Sequence, residues 1–119
     1  MKKNRHAAEL SLEQIGNIKD AFISAAYRLK QAGTDGVQLH AAHSYLLSRF
    51  IDETFNKRHD QYGGSIENRF RLCAEIIAGI KKQCGSDFPV AIKINNDTKA
   101  DNEKYVADMD YVITKCQQL

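Results

Sequence analysis

No apolar run in this chain approaches the ~20 residues that a membrane-spanning helix needs, and the amino end lacks the apolar core of a secretion signal. A membrane partner is therefore not expected, and the expected location is cytoplasmic. An excess of one charge is missing as well: 17 lysines and arginines stand against 15 acids, a formal balance of +2, and only Lys2, Lys3 and Arg5 are clustered. That balance offers no footprint for nucleic acid. Cysteine is scarce. Cys73, Cys84 and Cys116 are odd in number, widely spaced and set in helix-like sequence, which argues against a disulfide framework and against a zinc centre. Buried free thiols are the simpler reading. Repeats, low-complexity tracts and linkers are absent too. What remains is a chain of 119 residues with 43% apolar content, suited to one globular domain that buries roughly two thirds of its unfolded surface.

Hydrophobic periodicity divides the chain into alternating elements. Ser11-Leu-Glu-Gln14 forms a capping box, in which the Ser hydroxyl and the Gln amide satisfy the first free backbone groups of a helix. Ile15, Ile18, Phe22, Ala25, Ala26 and Leu29 follow at helical spacing, and Gly33 is a natural stop. Val37-Gln-Leu-His40 then reads as a short strand after the turn residues Thr34-Asp35-Gly36. A second amphipathic helix starts at the cap Ser65, carries Phe70, Cys73, Ala74, Ile77 and Ile80 inward, and ends at Gly85. Phe88-Pro-Val-Ala-Ile-Lys-Ile94 is a second strand, nearly continuous in apolar residues as strands buried on both faces are. Tyr105, Val106, Met109, Val112, Ile113 and Cys116 mark a third helix, expected to begin at Asp101.

Helix, strand, helix, strand, helix is an α/β order with two parallel strands joined by a crossover. Two strands leave open edges and cover too little of three apolar helix faces. The chain is thus expected to be part of a larger α/β protein or to pair with another chain.

Directly behind the first strand stands His40-Ala-Ala-His43-Ser-Tyr45, three proton-handling side chains where a parallel fold keeps its chemistry. Other readings exist for each. A strand-end histidine is commonly held by a backbone carbonyl, and the i, i+3 spacing of His40 and His43 also suits a metal, although no third ligand stands at a helpful spacing and no metal site is expected. Tyr45, followed by Leu46 and Leu47, would equally anchor a short helix against the core. Further on, Tyr62-Gly-Gly-Ser65 lacks the phosphate-loop patterns and is read as a tight turn into the next helix. Arg58, Asp60, Glu67 and Arg69 are read as a charge network that fixes the loop, its exposed pairs contributing little on their own.

Two segments, Asp35-Gly-Val-Gln-Leu-His40-Ala-Ala-His43-Ser-Tyr45-Leu-Leu47 and Asn56-Lys-Arg58-His-Asp60-Gln-Tyr62-Gly-Gly-Ser65-Ile-Glu67-Asn-Arg69, together resemble the Old Yellow Enzyme family of FMN-dependent ene-reductases and NADH:flavin oxidoreductases. The family patterns are D-G-V-x-I/L-H-x-A-H/N-x-Y-L-L and N-x-R-x-D-x-Y-G-G-S-x-E-N-R. The resemblance implies a partial (β/α)₈ TIM barrel, about the third helix, fourth strand, fourth helix, fifth strand and fifth helix, with residues 1–119 a fragment of one FMN-binding domain and residues 1–8 disordered. It implies that His40 and His43 bind the carbonyl oxygen of an α,β-unsaturated carbonyl or quinone-like substrate, that Tyr45 delivers the proton to the α-carbon, and that Lys93 contacts the pyrimidine edge of FMN. NAD(P)H would be the reductant.

The chain also departs from the pattern. Ser44 stands where glycine is common and Glu53 where proline follows the short helix; both changes are expected to loosen the loop. Arginine is found at the Lys93 position in some branches, so charge is kept while bidentate contact is lost. A barrel of this class takes about 250 residues and builds its phosphate site from loops after the seventh and eighth strands, so the isolated chain is not expected to bind FMN tightly. Three readings compete: a segment inactive outside an intact barrel, a self-associating binding or structural module, and one part of a truncated or split gene that needs a complementary barrel fragment.

Overall fold

The computed structural model describes residues 7–95 and 103–119. Helix α1 spans Leu12–Gln31 and opens with the capping box, the Ser11 hydroxyl accepting from the Gln14 N–H while the Gln14 side chain accepts from the Ser11 N–H. Strand β1 spans Val37–Ala41, helix α2 Leu46–Ile51, helix α3 Ile66–Cys84, strand β2 Val90–Ile94 and helix α4 Glu103–Gln118. The short α2 is an addition to the three main helices that periodicity reveals, because six residues are too few for a periodic stripe. Asp101, read as the start of the last helix, lies outside the described residues, as do residues 1–6 of the segment expected to be disordered.

The strands pair in parallel, with Val37 level with Val90 and Ala41 level with Ile94. Val37, Leu39 and Ala41 of β1 and Val90, Ile92 and Ile94 of β2 share the face that packs on the helices. Gln38, His40, Ala91 and Lys93 lie on the opposite, exposed face. The second strand is therefore covered on one side only, unlike its nearly continuous apolar sequence suggests. Phe88 is buried ahead of the strand, whereas Pro89 contributes only its carbonyl, which accepts from Val37 N–H.

Helix α3 is the centre of the core because it touches α1, α2, α4 and β2. Its Phe70, Cys73 and Ile80 are fully buried as the periodicity implies, and so are Leu72 and Ile76, each such side chain contributing about 1.5–3 kcal/mol on removal from water. Gly79 lets α1 approach closely, since a Cβ there would meet Ile23 Cδ1 at 2.2 Å. The outer helices are half-dressed: Leu29 of α1 and Val106 and Ile113 of α4 are exposed, although their spacing marks them as inward. Cys73 and Cys84 are buried free thiols, and burial pushes the Cys73 thiol up to about 12, which keeps it protonated and inert. Cys116 is only partly covered.

Candidate active site at the carboxyl ends of the strands

Alternation along β1 sends Leu39 and Ala41 into the core and leaves His40 on the open face. Ala42 is fully buried, and the chain then turns through two left-handed residues, His43 (φ 59°) and Ser44 (φ 58°). A non-glycine residue in that region costs about 1–2 kcal/mol, so the glycine common at the Ser44 position has a conformational reason. The turn folds His43 back beside His40 and delivers Tyr45 next to His40. The His40 and His43 rings lie 5.1 Å apart between centroids at an interplanar angle of 62°, and the His40 and Tyr45 rings 5.3 Å apart at 50°. Tyr45 is 63% exposed and caps α2 with its backbone alone, so it does not anchor that helix to the core.

The strained turn is held from outside. Asn95, at the end of β2, accepts the His43 N–H on Oδ1 at 2.6 Å; Arg49 Nε donates to the Ser44 carbonyl at 2.7 Å, and the Ser48 hydroxyl to the Tyr45 carbonyl at 2.9 Å. Lys93 is level with His40 across the strand pair, on the same open face. The structure thus gathers His40, His43 and Tyr45 at one strand end with Lys93 on the adjacent strand, and among the described residues none engages their polar ends. Asn95 and Arg49 were not singled out from the sequence. The only signal for Asn95 was its place, since polar residues at the carboxyl ends of parallel strands line the site of such folds.

The loop behind the site is built differently. Arg58, its side chain 9% exposed, makes a two-pronged pair with Asp60 (3.1 and 2.5 Å) and donates to the Leu10 carbonyl. The guanidinium holds the Asp60 carboxyl below the usual carboxylate range. Asn56 donates to the carbonyls of Phe50 and Tyr62, and a Cβ on Gly63 would sit 2.3 Å from the Arg58 carbonyl oxygen, so only glycine fits that crossing. Arg69 is buried, donating to the carbonyls of Gly64 and Ile51 and pairing with Asp108 of α4 at 2.6 Å. The charged residues expected to form one network make two separate pairs instead, Arg58 with Asp60 and Arg69 with the unforeseen partner Asp108, each with its arginine side chain largely buried, while Glu67 is exposed in the first turn of α3. Glu53, in the proline position, pairs with Lys104. A cavity of about 240 Å³ is lined by Ala41, Asp52, Arg69, Ile94 and Asp108. Because Ala41 and Ile94 belong to the helix-facing side of the strands, it lies away from His40 and Lys93. No group of three or more histidine, cysteine or acidic side chains among the described residues is placed to hold a metal. No described helix is long and apolar enough to cross a membrane.

A parallel strand pair flanked by helices, with polar side chains gathered at its carboxyl end, is an α/β arrangement of the kind whose strand ends line a site. The chain belongs to the NADH:flavin oxidoreductase / NADH oxidase family, whose profile matches residues 1–119. It is 48% identical over 86 residues to a cinnamate reductase of Clostridium sporogenes, a match that covers 71% of this chain and 13% of that protein. It is 43% identical over 89 residues to an NADH oxidase of Thermoanaerobacter brockii, covering 75% and 14%. Among solved structures, the Old Yellow Enzyme of Pichia sp. AKU4542 superposes with a TM-score of 0.82 at 36% identity, over 93% of this chain and 31% of that one. The chain therefore spans a minor part of the proteins it matches. The family's cofactor is FMN and its reductant a nicotinamide.

Proposed function

We propose that this chain is the substrate-binding and proton-donating segment of an FMN-dependent NAD(P)H oxidoreductase that reduces activated C=C bonds of α,β-unsaturated carbonyl compounds. In this reading α1, β1, α3, β2 and α4 are the third helix, fourth strand, fourth helix, fifth strand and fifth helix of a (β/α)₈ barrel, and the open face carrying His40 and Lys93 lines its interior. The single observation that carries the reading is the convergence of two imidazoles and a phenol at one strand end.

The donor set fits a flavin and its substrate. Lys93 would offer a cation that stabilises the negative charge of reduced flavin at its pyrimidine edge, and His40 and His43 would each offer an N–H to one carbonyl oxygen. FMN, when bound, supplies hydride drawn from NAD(P)H. The two N–H donors would stabilise negative charge developing on the carbonyl oxygen during reduction, one such donor being worth ~3 kcal/mol of barrier. Tyr45 would give a proton to the α-carbon from its hydroxyl. The phosphate of FMN is held in such barrels by loops after the seventh and eighth strands, so activity requires the rest of the barrel, in the same polypeptide or from a complementary fragment. The two open sheet edges favour a second reading, a non-catalytic module that buries those edges by self-association.

The test is to place residues 1–119 in an intact barrel and separate the half-reactions. Tyr45→Phe should slow alkene reduction about 100-fold or more while leaving flavin reduction by NAD(P)H unchanged. Equal loss in both half-reactions would refute the assignment of Tyr45. A colourless, stable oligomer of the unmodified chain that gains no flavin on addition of complementary barrel segments would favour the module.

A further inference from the structure

We infer that Asn95 is a positioning residue for the imidazole pair, setting the direction of His43 from the neighbouring strand. This rests on the function proposed above for His40 and His43. His43 and Ser44 occupy left-handed backbone that is uncommon for non-glycine residues, so two such residues in succession persist only where surrounding contacts determine the turn. The contact on the His43 side is a hydrogen bond across 52 residues of sequence, from the His43 N–H to Asn95 Oδ1 at 2.6 Å. A backbone N–H can only donate, so the amide of Asn95 must present its oxygen, and its orientation is fixed by the bond itself.

Register explains why this residue reaches that turn. Ile94 is level with Ala41, so Asn95 stands beside the Ala42–His43 step, one residue past the end of the strand pairing. There a side-chain amide extends the ladder by one more bond after the backbones diverge. Asn95 is itself held, since its own carbonyl accepts the Tyr105 hydroxyl of α4 at 2.8 Å. A line of contacts thus runs from α4 through Asn95 to the backbone of His43, whose ring stands 5.1 Å from that of His40. The ring separation, and with it the convergence of two N–H donors on one carbonyl oxygen, depends on that backbone being fixed.

The experiment uses the isotope-labelled 119-residue chain and reads the loop by NMR, without flavin or substrate. Asn95→Ala should speed amide hydrogen exchange at His43 about tenfold, the effect of losing one hydrogen bond, and should abolish ring-to-ring NOEs from His40 to His43. Exchange in α3 should stay as it was, and the melting midpoint should fall by no more than about 8 °C, the cost of one hydrogen bond. Asn95→Asp, which keeps an acceptor oxygen in place, should restore both signals. Retained NOEs and slow His43 exchange in Asn95→Ala would overturn the inference, as would an Asn95→Asp protein that behaves like the alanine variant. Should Asn95→Ala not fold, Tyr105→Phe provides the second reading: it should shift the same His43 signals in the same direction, and their indifference would equally overturn the role. A negative result leaves the roles of His40, His43 and Tyr45 standing, whereas failure of those roles in the half-reaction test leaves the grip of Asn95 on the loop intact.

Discussion

The turn after β1 and the loop from Asp52 to Ser65 are similarly rich in polar and aromatic side chains, yet they use them in opposite ways. In the longer loop nearly every polar group is turned on the protein itself: Asn56 ties two carbonyls, Arg58 clasps Asp60 and Leu10, and Arg69 reaches in from α3 to close the loop against α4. In the short turn the backbone is strained and tied down, while the imidazoles, the phenol and the Lys93 ammonium across the sheet keep their polar ends open. A group satisfied within the fold contributes to stability, and one left open beside a strained backbone is available to a ligand. The two family motifs thus separate into scaffold and candidate site.

The largest expected effect lies on the scaffold side. Arg69→Ala strands Asp108 and leaves the carbonyls of Gly64 and Ile51 without their donor, which should lower the free energy of urea unfolding by about 3–5 kcal/mol. A loss under about 1 kcal/mol would erase the contrast between the two regions. Next comes acid sensitivity. Arg58 depresses the Asp60 carboxyl in the folded state, so this pair stabilises fully above the unfolded carboxylate value near about 3.9, and the contribution is lost as pH falls through the lower folded-state value. The free energy of unfolding should therefore fall more between pH 6 and pH 3 in the native chain than in Asp60→Asn. Equal falls would mean the pair is no part of the scaffold.

Much of the architecture is legible in the sequence because local physics decides it. The Ser11 box, the Ser65 cap and the Gly85 stop fix helix ends from within a few residues, and the parallel pairing follows from element order. What the sequence conceals depends on contacts distant along the chain. Arg69 finds Asp108 across 39 residues, and His43 finds Asn95 across 52. The one-sided burial of β2 was hidden for the same reason, since Val90-Ala-Ile-Lys-Ile94 has the composition of a strand covered on both faces while only one face meets a helix. His40, His43, Tyr45 and Lys93 were legible as a group through the family pattern, and the geometry adds their mutual placement.

Smaller effects sharpen the comparison on the site side, where the sign reverses. Ser44→Gly relieves left-handed strain of about 1–2 kcal/mol against an unfolded-state cost of about 0.4–1 kcal/mol, and should raise stability by about 0.5–1 kcal/mol in the same urea titration. A destabilised Ser44→Gly chain would show that the turn is not strained. His40→Ala and Tyr45→Phe should change stability by about 0.5 kcal/mol or less, because both side chains are exposed and neither satisfies a buried group. In an intact barrel His40→Ala should nevertheless weaken binding of a simple phenol, whose phenolate oxygen would take the place of the substrate carbonyl oxygen before the imidazole pair, by about tenfold or more as measured by flavin absorbance, the effect of one hydrogen bond to a charged oxygen. Unchanged phenol affinity together with a large stability loss would move His40 from the site to the scaffold and leave the open face without a ligand role.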